Sequence, residues 1–172
     1  MKNTLILILL TLSLLSTTQA SEEKQVMKSV DGTLLHAGKI ENGLVIDELK
    51  GKILFVEIYG HRCPYCIKEI DPLNALQEKY GKRLAIVAVE VGGYNGSKLK
   101  DFDELYGIDY INISQKEAGG LVSYVSRIGN YRGMIPFLAI FDRSGKFYRS
   151  FSGPVPEQKL EKIIEELSKQ PK

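Results

Sequence analysis

The feature that most constrains this chain is the position of its two cysteines, Cys63 and Cys66. They follow a run of seven β-favouring residues, 53–59, and they lie at the start of a helical pattern that begins at Pro64. Such an apolar run indicates a strand buried on both faces, as in a parallel or mixed sheet. Proline is well suited to the first turn of a helix. The sequence therefore predicts a cysteine pair in the short loop between a central strand and a helix.

The composition limits what this pair can do. Two cysteines cannot form a disulfide scaffold, and a structural zinc site needs about four ligands, to which the chain can add only His36 and His61. We therefore expect the cysteines to function as a pair, with no metal and no other cofactor. The net charge is +2, from 23 basic and 21 acidic residues. A charge this close to zero gives no support for a nucleic-acid partner.

The first twenty residues are predicted to be a signal peptide. A short basic start is followed by an apolar run over residues 5–15, and Thr18 and Ala20 supply small residues before a cut after Ala20. This arrangement is typical of a secretory signal. The alternative is an uncleaved membrane anchor, although the run is shorter than the roughly 20 residues that span a bilayer. The remaining chain is expected to be exported into an oxidising compartment.

The remaining sequence alternates strand and helix patterns. Residues 21–33 are polar and are predicted to be a loose lead-in to one domain over residues 34–170. This order predicts an α/β fold in which helices flank a mixed central sheet. Strands are expected at 33–49 (short and broken by Gly38 and by a turn at 41–43), 53–59, 84–91, 109–113, 137–141 and 146–151, and helices at 64–80, 97–105 (capped by Ser97), 117–128 and from 156 or 157 onward.

Two cysteines three residues apart can form a disulfide within one helical turn, and the helix start makes the first of them reactive. Free N–H groups and the helix dipole stabilise negative charge there, so this position favours the thiolate of Cys63. Cys66 lies one turn further in, where it could attack a mixed disulfide formed by Cys63 and release the partner. His61 and Arg62 could favour the thiolate further, or could simply be solvated loop residues. The alternative for the pair itself is a purely structural disulfide.

Residues 56–66, together with Ile135-Pro136, resemble the thioredoxin superfamily. In that family a cysteine pair begins the first long helix, and a cis-proline lies across from it. The resemblance implies that Pro136 is this proline and that Ile135 and Pro136, with Pro64 and Tyr65, contact the substrate. The alternative is an ordinary trans proline at a strand start.

The resemblance also implies a buried acid on the strand six residues before the first cysteine, which here is Glu57. A carboxyl in an apolar strand has a raised pKa and could exchange a proton with Cys66. The alternative is an edge-strand glutamate that faces water. The chain departs from the family pattern at Arg62, where a tryptophan is common, and this casts doubt on a role as a cytosolic reductase.

The layout resembles the TlpA-like exported thioredoxins, through the signal peptide, an N-terminal hairpin and a helix-bearing insertion over residues 95–128. Many members of that branch reduce disulfides in apocytochromes c before haem attachment, with electrons from a membrane reductase. The resemblance therefore implies a monomeric periplasmic reductase whose partners are protein thiols and disulfides and a membrane or soluble redox protein. A disulfide oxidase or isomerase, or a copper-binding assembly factor of the same fold, are the alternatives; a copper site would add soft sulfur ligands and a nearby histidine.

Overall fold

The computed structural model describes residues 24–169. The predicted signal peptide, residues 1–20, therefore lies outside the described residues. Within residues 24–169, no helix is both long and apolar enough to cross a membrane. The strands are β1 (Gln25–Lys28), β2 (Leu34–Ile40), β3 (Gly43–Ile46), β4 (Ile53–Tyr59), β5 (Leu84–Glu90), β6 (Ile111–Ser114), β7 (Phe137–Phe141) and β8 (Phe147–Ser152). The α-helices are α1 (Pro64–Tyr80), α2 (Ser97–Tyr106), α3 (Leu121–Gly129) and α4 (Glu157–Lys169), and Asp47–Leu49 forms a short 3-10 helix.

The central sheet has five strands in the order β6-β5-β4-β7-β8. Strand β4 pairs in parallel with β5 and antiparallel with β7. The predicted α/β fold with a mixed sheet is thus confirmed, and the strand that precedes the cysteines lies at its centre. All seven residues of β4 are buried, as expected for a strand covered on both faces.

The two faces of the sheet pack against different elements. Alternate β4 side chains point to opposite faces, since the side-chain period of a strand is two. Buried residues of α1 and α4 pack against Ile53, Phe55 and Tyr59 on one face. On the other face, Leu54, Val56 and Ile58 pack toward α3 and the N-terminal strands. Glu57 shares the parity of Phe55 and Tyr59. Its side chain therefore points toward the helix that carries the cysteines.

Strands β1, β2 and β3 form a separate antiparallel sheet at the N-terminal end of the described chain. The prediction of a loose lead-in over residues 21–33 is wrong for residues 25–28, which form β1 and pair with 34–37 of β2. Met27 is buried in the core, and the Gln25 side-chain amide donates to the carbonyl of Ala118 at 2.6 Å. Strand β1 is too short to show a periodic pattern in the sequence. It is held in place by contacts with residues that are distant along the chain.

Three local predictions also differ from the structure. Strand β2 runs through Gly38 without a break, because pairing with β3 holds it in place. Helix α2 begins at Ser97, but Gly96 occupies the N-cap and no side chain caps the helix. Helix α3 begins at Leu121 rather than at residue 117, after Gly119 in a left-handed conformation with φ of 52°. Glycine adopts that conformation without steric cost, which favours a turn over a helix there.

Candidate active site

The cysteine pair lies at the N-terminus of α1, as predicted. Cys63 and Cys66 form a disulfide, with their Cα atoms 5.2 Å apart. Cys63 is the N-cap residue, and the backbone N–H of Cys66 donates to its Sγ at 3.2 Å. Cys63 is partly exposed, whereas Cys66 is 1% exposed. Only the first sulfur can therefore be approached from solvent.

The Ile135–Pro136 peptide bond is cis, as the resemblance implies, and it lies beside the disulfide. The carbonyl oxygen of Ile135 is 3.8 Å from Cys63 Sγ. Gly60 allows this approach, because a Cβ atom on it would lie 3.0 Å from Ile135 Cδ1. Tyr65 follows Cys63 by two residues, and its side chain is 61% exposed. The structure thus places the Ile135–Pro136 bond beside Cys63 and leaves the Tyr65 side chain accessible from solvent.

Glu57 lies in the centre of the sheet and is 3% exposed, so the alternative of a solvent-facing edge residue is wrong. Burial, with a smaller contribution from the charge of Glu69, raises the pKa of Glu57 from 4.5 to about 8. Desolvation disfavours the ionised carboxylate, and a second carboxylate nearby adds to the effect. At neutral pH Glu57 is therefore mostly a protonated acid beneath α1.

Glu69 is a second acid at this site that sequence reasoning missed. It lies three residues after Cys66 on α1, and its carboxylate accepts the backbone N–H of Val155 at 2.8 Å. Burial raises the pKa of Glu69 as well. The signal was available, since residues i and i+3 share a helix face. A glutamate three residues beyond the second cysteine lies on the same face of the helix as that cysteine.

Glu90, at the end of β5, was also missed. It is fully buried and pairs with the ring of His61, whose Nδ1 lies 2.9 Å from Glu90 Oε1. The ring of His61 is thus held inward by a carboxylate, whereas Arg62 is exposed. Nothing in the local sequence pattern shows this pairing, because the two residues are 29 positions apart.

Metal ligands are not gathered at this site. Among the residues that the structure describes, no three histidine, cysteine, aspartate or glutamate side chains are grouped so that they could hold a metal ion.

Similarities to known proteins are found in both sequence and structure, although no protein-family model matches the chain. The thiol-disulfide oxidoreductase ResA of Bacillus thuringiensis (strain Al Hakam) is 28% identical over 141 residues, covering 79% of this chain and 73% of that protein. A thiol:disulfide interchange protein of the thioredoxin family from Chlorobium tepidum superposes with a TM-score of 0.64 at 20% identity, covering 84% and 93% of the two chains. The exposed lipoprotein thioredoxin of Streptococcus pneumoniae superposes with a TM-score of 0.60 at 16% identity, covering 83% and 98%.

The structural similarity concerns the fold, and the sequence similarity is to proteins named for their chemistry. The solved structures share the arrangement of a mixed sheet with a helix that follows its central strand. Relatives detected by sequence carry the name of thiol-disulfide oxidoreductases. Both lines lead to the same group of proteins: the chain is a thiol-disulfide oxidoreductase with a thioredoxin-like fold, and it is similar to the TlpA-like members of the thioredoxin superfamily.

Proposed function

We propose that this enzyme is an exported reductase of protein disulfides, with substrates such as the disulfides of cytochrome c precursors before haem attachment. The observation that carries the proposal is the set of groups around Cys66, which is buried on the side of the sheet where Glu57 is buried and Glu69 is partly buried. The predicted signal peptide and the exposed location named for the pneumococcal relative support export.

The reaction follows from the order of the two sulfurs. The thiolate of reduced Cys63 attacks a substrate disulfide, forms a mixed disulfide and expels one substrate sulfur as thiolate. Cys66 then gives up its proton, attacks Cys63 Sγ and releases the second substrate sulfur. The enzyme is oxidised to its disulfide and the substrate gains two electrons and two protons. A dithiol redox partner, in the membrane or soluble, returns the enzyme to its reduced form by the same exchange.

Two groups of residues assist these steps in our proposal. The backbone beside Pro136, with Tyr65 and Pro64 on the opposite side, holds an extended substrate segment against Cys63. Glu57, in its ionised form, accepts the proton of Cys66 when that thiol attacks. A raised pKa suits this role, since a proton acceptor works best when its pKa is close to the operating pH.

The buried acids favour a reductase over an oxidase. A disulfide is strongly oxidising when the protein stabilises the reduced form, in which one cysteine is a thiolate. A poorly solvated site disfavours negative charge, and any carboxylate that ionises there adds repulsion to the cost of desolvation. With less stabilisation of the reduced form, the disulfide is favoured and the reduction potential becomes more negative. The pair is then a donor of electrons.

The reduction potential of the Cys63–Cys66 pair tests the direction of the reaction. After equilibration with redox buffers of defined potential, we expect a value more negative than about −200 mV, in the range of reducing members of the superfamily. The measurement is made by counting free thiols in the quenched protein by mass spectrometry. A less negative value would contradict the reductase and support the oxidase or isomerase.

Substrate trapping tests the partners. In Cys66→Ser the mixed disulfide cannot be resolved, so exported proteins should remain attached to Cys63 and be released by dithiothreitol. The double variant Cys63→Ser/Cys66→Ser is the matched control and should trap nothing. If the single variant traps no more protein than the double variant, a role on protein disulfides is wrong.

A further inference from the structure

The loop that leads into Cys63 is hydrogen-bonded to the buried carboxylate of Glu90. Glu90 is the last residue of β5 and lies in register with Tyr59, the last residue of β4, in the parallel pair. Beyond these two residues the chain enters loop 60–63 on one side and loop 91–96 on the other. The backbone N–H of Val91 donates to the carbonyl of Tyr59 at 2.8 Å, so the loops begin side by side.

Both loops donate hydrogen bonds to Glu90, an arrangement that we name the Glu90 clamp. Oε1 accepts the backbone N–H of His61 at 3.2 Å, His61 Nδ1–H at 2.9 Å and the N–H of Gly92 at 2.7 Å. Oε2 accepts the N–H groups of Gly93 at 3.0 Å and Tyr94 at 2.7 Å. A carboxylate offers about four lone-pair sites, so these five donors use its full capacity. Such pairing is what allows a charged group to be buried.

The packing around the clamp is close. The His61 ring stacks on the ring of Tyr94, with centroids 3.6 Å apart and planes 7° apart. A Cβ atom on Gly92 would lie 2.6 Å from Glu90 Oε1 and 2.7 Å from His61 Nδ1, so a larger residue there would displace one of these two side chains. The His61 side chain is 9% exposed. The ring is therefore held in one position by hydrogen bonding, stacking and steric exclusion together.

The clamp reaches Cys63 through a tight turn. The backbone N–H of Cys63 donates to the carbonyl of Gly60 at 2.9 Å, so His61 and Arg62 are the two central residues of a four-residue turn. Glu90 binds both the backbone and the ring of one of these two central residues. The position of the turn, and with it the first residue of α1, is thereby fixed to the sheet.

We propose that His61, held by Glu90, is a positioning residue for Cys63, and that its Nδ1–H offsets the carboxylate charge that would otherwise disfavour the Cys63 thiolate. This inference rests on the proposed attack by Cys63. His61 has an electrostatic role in that attack, in addition to the roles of the residues in the mechanism proposed above. Without the ring N–H, the carboxylate of Glu90 loses one of its five donors.

Two substitutions separate the hydrogen bond from the packing. His61→Phe keeps an aromatic ring to stack on Tyr94 but removes the donor to Glu90, whereas His61→Gln keeps an N–H donor and removes the ring. The matched control is His36→Phe. His36 also donates its backbone N–H to a glutamate and places Nδ1 2.6 Å from the same carboxylate, that of Glu48, but on the exposed surface. Glu90→Gln can fail to fold, so the histidine variants carry the test.

The measurement is the rate of iodoacetamide alkylation of the fully reduced proteins across pH 4 to 9, with the labelled residue identified by mass spectrometry. On the acidic limb of the profile we expect His61→Phe to react about tenfold more slowly than the native protein, the size of effect that an unfavourable neighbouring charge produces. The plateau at high pH should be unchanged, since there every Cys63 is a thiolate. His61→Gln should recover most of the rate, and His36→Phe should match the native protein.

Two results would overturn the inference. The profiles of His61→Phe and the native protein could coincide, or His61→Gln could be as slow as His61→Phe, which would assign the effect to ring packing. Both leave the proposed function intact provided that Cys63 is the labelled residue. Labelling of Cys66 in the native protein would instead overturn the proposed attack by Cys63, and this inference with it.

Discussion

Replacing Cys63 with serine should lower the rate of protein-disulfide reduction by at least about a thousandfold, as expected for loss of an essential nucleophile. A hydroxyl at the helix N-terminus cannot form a mixed disulfide, and its proton is far harder to remove than that of a thiol. The buried Cys66 cannot replace it, because 1% exposure leaves no path for a protein substrate. The rate is measured by turbidity during insulin reduction with dithiothreitol as electron donor.

Cys66→Ser provides the matched control for this prediction. Both serine variants lose the same disulfide, which closes a loop of four residues, and each should lose about 2 kcal/mol of stability relative to the oxidised protein. Both should also be slow in turnover, but Cys66→Ser should still form a mixed disulfide with insulin whereas Cys63→Ser should form none. The reverse pattern would show that Cys66 makes the first attack.

Glu57→Gln should remove a strong pH dependence of stability. The pKa of this carboxyl is about 8 in the folded protein, against 4.5 for an unperturbed glutamate. Below about pH 4.5 the group is protonated in both states and contributes nothing. Between about pH 4.5 and 8 the unfolded chain releases a proton that the folded protein retains, so stability falls as the pH rises, and above about pH 8 the loss is complete.

The expected size of this effect follows from the two pKa values. One pKa unit corresponds to about 1.4 kcal/mol, so the native protein should lose roughly 3–5 kcal/mol over that window through Glu57. The free energy of unfolding, obtained from urea titrations at pH 4.5 and pH 8, should therefore change much less in Glu57→Gln. The exposed Glu117→Gln serves as control and should follow the native protein. Equal pH slopes for the native protein and Glu57→Gln would show that Glu57 is ionised at neutral pH.

Local patterns were sufficient for the framework that carries the site. The apolar run 53–59, the proline at position 64 and the helical spacing that ends before Gly81 predicted β4, α1 and the cysteine pair between them. Such signals depend on neighbours within a few residues, as do strand periodicity and helix entry. The assignment of residues 25–28 failed, since β1 exists only through its pairing with β2 and its contacts near Ala118.

The acidic residues around the cysteine pair show most clearly what local sequence patterns cannot predict. Glu57 was predicted as a buried acid because it follows the family pattern, and the structure buries it in the central strand. Glu69 was missed although its spacing from Cys66 places it on the same helix face. Glu90 could not have been predicted at all, because its five donors come from two loops that meet only when β4 and β5 pair.

The sequence by itself determined which residues can do the chemistry: two sulfurs one helical turn apart, the first at the helix start where a thiolate is stabilised. Those properties are set by bonds and spacings within a single segment of chain. The tertiary structure alone decided how that chemistry is tuned. Burial raises the pKa of Glu57 and Glu69, and the clamp on Glu90 fixes the turn before Cys63. Desolvation and hydrogen bonding of this kind depend on groups brought together from distant parts of the chain.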